Sequence, residues 1–585
     1  MTIRHSHAVL LALSLLVFAA CGGGGKGDGG PQTVTVSGTA FYEFVPPSGI
    51  CSGLDFAATT TRPIRGATVQ LLSSTDAVLG TTTSADNGSF SFAGIDKNAS
   101  VRLRVRAELK QTGTPSWDVE IRDNYDASAT PPARALRPLY VLDGAPFDVG
   151  TANVSRSITA TTGWDGASYT GTRAAAPFAI LDTIYAANRY LLQADATATF
   201  PPLDVFWSVN NTINVTSIGL TLDEQIDVGE LGGSFYLLGA QQLFLVGDAT
   251  SDTEEFDDHV VLHEWSHYFE DVFSRSDSRG GSHSIGESLE ASFAFSEGWG
   301  YAIGALVTDN VYYCDTGRPG TSAGFGLQTE TGEYGVPGWF NEWGIGTVIY
   351  DLIDTDVDGT DTSSVGWPAI YNTMVGAHAA SAAFTTIFSF ATELRASLNA
   401  ADQAFLDSQL DREDIVSGAD LDIWATNETN DAGVPTLVPR NVAETVLPLY
   451  IDYTADGTPL NVCMDNYLDG FARDGNNIGE DIRLRIAVPV TDEYIVSMTA
   501  TTALPPDDPL DASDQSDPDF YVYRSGLELV RGVSATANTE SATTPILQAG
   551  TTYVAFIEEW RFEDEGAPDD YPARMCFDVS FTPTP

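Results

Sequence analysis

The sequence predicts a multidomain chain in which an N-terminal β-sandwich and a C-terminal β-sandwich flank a central α+β domain. Three observations lead there. At 585 residues the chain exceeds what one hydrophobic core serves, which points to about three or four domains. Hydrophobic residues make up 43% of it, enough to furnish those cores. The texture also changes along the chain, with alternating apolar runs at both ends and helical periodicity in the middle.

The first segment is a targeting signal. MTIRHSH is a short basic region, and AVLLALSLLVFAA is an apolar run too short to span a bilayer as a mature helix. It closes on small residues just before Cys21, so residues 1–20 resemble a bacterial lipoprotein signal peptide, which implies lipid modification at Cys21. Gly22 after the cysteine is similar to the outer-membrane sorting pattern. The expected location is therefore the bacterial outer membrane, lipid-anchored and facing the periplasm or the cell surface. GGGGKGDGGP, within residues 21–31, reads as a flexible tether. No other segment is long and apolar enough to cross a membrane.

Residues 32–145 form the first sandwich. TVTVSGTAFYEF alternates, ATVQLLSS follows, ADNGSFSFAGI sets a turn before another alternating run, and VRLRVRAEL closes the series. The succession resembles the transthyretin-like, carboxypeptidase-regulatory sandwich attached to exported enzymes, which implies a spacer or adhesive role. Residues 150–435 are mixed. APFAILDTIYAANRYLLQA has helical spacing, LDVFWSV, SFYLLG and QQLFLVGD read as strands, and IGESLEASFAFSEGWGYAIGALVT reads as a helix. GTVIYDLID and a long stretch from AAFTTIFSF to FLDSQL complete the helical part. Residues 440–585 return to strands, among them DIRLRIAVPV, DEYIVSMTAT, DFYVYRSG and TTYVAFIEEW. This region is similar to the small β-sandwich found beside secreted bacterial peptidases.

The charge balance is extreme, with 28 basic against 80 acidic residues and a net charge of −52. Such a surface repels nucleic acid and anionic lipid and attracts divalent cations. Contact with a membrane is expected through the lipid anchor alone. Besides Cys21 there are Cys51, Cys314, Cys463 and Cys576, an even number that permits disulfides in an exported protein. Cys463 and Cys576 lie at opposite ends of the C-terminal domain and are the preferred pair, which leaves Cys51 for Cys314. None has the CxxC spacing of a cysteine-built metal site.

Chemistry concentrates in VVLHEWSHYFED, residues 260–271. On a helix, His263 and His267 are four residues apart and project from one face, where they can share a tetrahedral zinc ion. Glu264 lies beside that face and can act as general base and acid toward water at the metal. A third ligand must come from elsewhere, and Glu287, Glu290 and Glu297 all fall on the next expected helix.

HEWSHYFEDVFSRSDSRGG followed by AFSEGWGYAIGAL resembles the gluzincin metallopeptidases, and the fungalysin-like branch above all. The resemblance covers roughly residues 230–355 and makes the central domain zincin-like. It implies Glu297 of SEGWG as the third zinc ligand. Glu287 is the rival by thermolysin-like spacing, although SIGESLEA lacks that branch's surrounding pattern. SFYLLG…LFLVGD resembles the edge strand along which a gluzincin lays its peptide, and NEWGIGTVIYDLID a helix of the same family. Two positions depart from the pattern. The Asp that orients a ligand histidine is Tyr301, and the oxyanion-stabilising His falls on Trp343. Tyr334 is a candidate to stand in for the latter.

The remaining histidines read more simply. His259, one turn before His263, is expected to be a packed or supporting residue, while His283 and His378 are expected in loops at the surface. DTDVDGTD places Asp354, Asp356 and Asp358 at alternating positions before Gly359, with Asp361 following, a pattern of hard oxygen ligands that suits calcium. Val365 at the twelfth position excludes an EF-hand. The expectation is a lipid-anchored zinc endopeptidase acting on extended polypeptides. The alternative is a non-catalytic surface lipoprotein with a degenerate or structural zinc site.

Overall fold

The computed structural model describes residues 32–49, 51–128, 130–217, 219–330, 334–355, 363–432, 446–465, 476–502, 515–562 and 574–585. The signal, the tether and Cys21 lie outside the described residues. The protein is multidomain, with several β-sheets and a set of helices.

Period-two alternation makes the strand Thr33–Phe44 bury Val34, Val36, Ala40, Tyr42 and Phe44. It pairs antiparallel with Ser89–Asp96 and with Thr60–Pro63 to form one layer. The second layer runs in the order Phe235–Leu237, Gln242–Leu245, Leu203–Trp207, Trp117–Arg122, Ser100–Gln111, Ala67–Ser73, Val78–Thr83. Leu203–Trp207 lies between Trp117–Arg122 and Gln242–Leu245 and is parallel to both. A continuous sheet therefore crosses the boundary expected between residues 145 and 150, and one hydrophobic core extends from Val34 to Ile478. Strand texture identifies strands but not their partners, so this joining of the two regions left no local mark.

The helices are α1 (Ala176–Leu191), α2 (Leu222–Val228), α3 (Asp258–Phe273), α4 (Ala291–Thr308), α5 (Glu342–Ile353), α6 (Trp367–Thr373), α7 (Ile387–Ser397) and α8 (Ala400–Arg412). The long helical stretch expected near residue 398 is broken in two. Asn399 caps α8, its side chain accepting from the amides of Ala401 and Asp402. α4 packs between α3 and α5, and glycine makes the approach close. A Cβ on Gly300 would meet His263 Nδ1 at 2.4 Å, and one on Gly298 would meet the Glu342 carbonyl oxygen at 2.7 Å. No helix among the described residues is long and apolar enough to cross a membrane.

The C-terminal part is a sandwich of two sheets around its own core, which includes Leu484, Val496, Phe520, Ile557 and Phe577. Cys463 and Cys576 are directly opposite across an antiparallel pair and form a disulfide, and Cys51 is joined to Cys314. This sandwich grips the central region just ahead of α4. The Glu290 amide donates to the Asn476 carbonyl at 2.8 Å, and the Ile478 amide to the Ser288 carbonyl at 2.9 Å. Arg483, buried in the sandwich, forms an ion pair with Glu290.

Candidate metal centre and active site

Most of α3 is buried and none of it is exposed, so its polar side chains must find partners inside the fold. His263 Nε2 lies 2.8 Å from Glu297 Oε2. His267 Nε2 lies 3.7 Å from Glu297 Oε1. One ligand atom from each of the three residues falls within 4.8 Å of the others. A tetrahedral zinc with bonds of about 2.1 Å holds its ligand atoms about 3.4 Å apart, a spacing within the 4.8 Å limit that these atoms meet. Two imidazole nitrogens and a carboxylate oxygen are also a zinc donor set, so these residues fit the ion the resemblance implies.

The surroundings fix the tautomer of His267. Ser296 Oγ donates to Glu270 Oε2 at 2.6 Å, so it accepts from His267 Nδ1 at 3.1 Å. A proton therefore sits on Nδ1, which leaves Nε2, facing Glu297, as the atom that would bind a metal. His263 is held differently. Its Nδ1 is buried without a hydrogen-bond partner among the described residues, and the ring packs on Gly300 and, at 4.9 Å between centroids, on Tyr301. Tyr301 and Trp343 belong to a hydrophobic cluster with Tyr313, Val260 and Leu327.

Glu264 is buried, and the charges that act on it most are His263, His267, Glu297 and His283. Burial pushes its carboxyl up, with the histidines pulling the other way. For Glu297 burial acts in the same direction, but His283 and His267 outweigh it and hold the carboxyl well below the usual carboxylate range.

His283 is not the surface residue expected. It lies in a loop, yet its Nε2 is 3.2 Å from Glu342 Oε2 and 3.5 Å from Glu297 Oε2. Burial works against its charge, but Glu297 and Glu342 push it up to about 10. Glu342, fully buried at the start of α5, had no separate signal in the sequence. His378 is also not at the surface. It is fully buried beside Ser389 Oγ at 3.2 Å, and burial lowers it to about 3. His259 is packed, with Nε2 3.1 Å from Thr308 Oγ1 and 3.2 Å from the Asn310 carbonyl oxygen.

Glu287 and Glu290 are not on a helix. α4 begins at Ala291 because Glu290 is its N-cap, accepting from the amides of Ser292 and Phe293. Both are buried rather than solvated, and neither joins the His263–His267–Glu297 cluster. Tyr334 is 47% exposed, its ring 6.2 Å from that of Trp343. Of the residues expected at calcium, Asp354 follows the last turn of α5, and Asp356, Asp358 and Asp361 lie outside the described residues.

The strand Phe235–Leu237 is the edge of its sheet and is tied to α3, Tyr236 donating to Asp271 Oδ2 at 2.7 Å. A strand edge that is unpaired among the described residues thus borders the helix that carries His263, Glu264 and His267.

No family model and no curated protein matches the chain. Among solved structures it is similar to the pre-peptidase C-terminal domain of a collagenase from Bacillus anthracis. The identity is 9%, the match covers 23% of this chain and 94% of that one, and the TM-score is 0.15.

Proposed function

We propose that this protein is an exported, lipid-anchored zinc endopeptidase of gluzincin type. The observation that carries the reading is the convergence of His263 Nε2, His267 Nε2 and the Glu297 carboxylate, with Glu264 buried beside them. Those three residues would hold the zinc. Bound there, the ion supplies Lewis acidity toward a carbonyl oxygen and brings the pKa of water down to about 7. Glu264 accepts the proton of the attacking water and returns it to the leaving amine. His283, held beside Glu342 and Glu297, brings positive charge to the same cluster and suits an oxygen that gains negative charge. An extended polypeptide would add to the edge strand Phe235–Leu237 through its backbone.

The purified protein is expected to carry about one zinc per chain and to cleave casein, losing turnover on chelation and regaining it with added zinc. Zinc without turnover would support the non-catalytic surface lipoprotein instead, and absence of zinc binding would sink both.

Gly300→Ala tests the packing behind the site. The added Cβ reaches His263 Nδ1, so the ring must shift and zinc affinity should fall by about 10–100-fold. Competition with a chelating dye measures this, and an unchanged affinity would show that Gly300 does not set the position of His263.

A further inference from the structure

A second group of carboxylates lies away from His263, His267 and Glu297. Asp252 and Glu254 precede α3, and Asp315 closes the strand Tyr312–Asp315. One oxygen from each comes within 4.8 Å of the others. Asp257, the residue before α3, adds a fourth carboxylate and accepts from the amide and hydroxyl of Thr316. Asp252 accepts from the Thr253 amide at 2.7 Å.

Glu254 is the member that needs explanation. It is 4% exposed, and its Oε2 is shielded from water without a hydrogen-bond partner among the described residues. The hydroxyl of the adjoining Thr253, fully buried, is in the same state. The charged groups acting on Glu254 most strongly are Asp315, Asp252, Asp257 and Glu255, all carboxylates. Arg173, which pairs with the adjoining Glu255, is spent on that residue and the Gly247 carbonyl. A buried carboxylate with an unpartnered oxygen among like charges is expensive, and a divalent cation removes that cost. Burial and the neighbouring carboxylates also push Glu254 far up and Asp252 up to about 7.

We propose that Asp252, Glu254 and Asp315 form a structural calcium site. Hard oxygen donors from side chains on two segments, with Asp252 and Asp315 still partly open to water, match what calcium takes. The site joins three parts of the fold. Asp315 follows Cys314, which is bonded to Cys51 of the N-terminal layer. Asp257 and Thr316 then link that strand to the start of α3, the helix that carries His263. The ion would hold these together and touch no group of the proposed reaction, so its test stands apart from the peptidase reading.

The test is calcium titration of the full chain, with zinc kept saturating, read by calorimetric melting and by direct binding. Calcium is expected to raise the Tm by about 2–3 °C at 100-fold excess over its Kd. Glu254→Gln should lose that rise and, without calcium, melt at or above the parent, because the buried charge is gone. This opposite response separates ion binding from a merely structural role. If Glu254→Gln fails to fold, Asp315→Asn should show the loss of one bound calcium per chain. No calcium response in the parent would overturn the proposal, as would a full response in both variants, which would place the ion elsewhere.

Discussion

Glu264→Gln is expected to bind zinc as the parent does while peptide hydrolysis falls by about 10²–10⁴-fold. The expectation follows from where Glu264 stands. It lies next to His263 yet is not one of the three residues whose atoms converge, so the donor set survives its replacement. Glutamine keeps the volume of the buried side chain but cannot take a proton from water. The sign of the stability change is also fixed. In the metal-free chain burial raises the carboxyl of Glu264 against the attraction of His263 and His267, so its charged form costs stability above the unfolded pKa. With zinc removed, the variant should therefore melt no lower than the parent at neutral pH. Zinc analysis, kcat and Tm on the same preparations check all three points. Undiminished turnover would remove Glu264 from the mechanism, and loss of zinc would mean that it holds the metal rather than the proton.

The part of this site that lies on one helix was legible in the sequence. The i, i+4 spacing fixes the shared face of His263 and His267 whatever packs around them. Glu270 was equally readable, three residues beyond His267 on the same helix, and so was Ser296 next to Glu297. Both emerge as supports for His267 only once α4 is laid against α3. His283 carried no such signal. Its place depends on how the loop before α4 folds back, which no periodicity encodes, and GGSHS has the texture of a surface loop. Glu287 and Glu290 show the converse. Apolar spacing ran on through IGESLEA and suggested one long helix, but an N-cap glutamate stops it at Ala291. The joined sheet was hidden for a similar reason. The parallel pairing of Leu203–Trp207 with Trp117–Arg122 is set by the intervening chain, including α1, rather than by either strand alone.

Arg483→Met is expected to lower stability by about 3–5 kcal/mol, the usual consequence of leaving one partner of a buried ion pair behind. Arg483 and Glu290 are both almost wholly buried, and Glu290 also caps α4 through the amides of Ser292 and Phe293. With the guanidinium gone, Glu290 must either keep an uncompensated charge or take up a proton, and a neutral carboxyl is a weaker N-cap. The disturbance then falls on the first turns of α4, which carry Ser296 and Glu297. Zinc affinity should drop along with Tm, although Arg483 belongs to the other sandwich. Arg483 Nε also meets Asp481 Oδ2 at 3.2 Å, so adding Glu290→Gln to Arg483→Met should recover the part of the lost stability that comes from Glu290. The Asn476 and Ile478 backbone bonds to residues 288–290 remain in both variants, so the pair isolates the charge from the clamp around it. If Arg483→Met melts lower but binds zinc as tightly as the parent, the C-terminal sandwich stabilises the chain without shaping the site. A coupled loss would make the sandwich part of the scaffold that holds Glu297 in place.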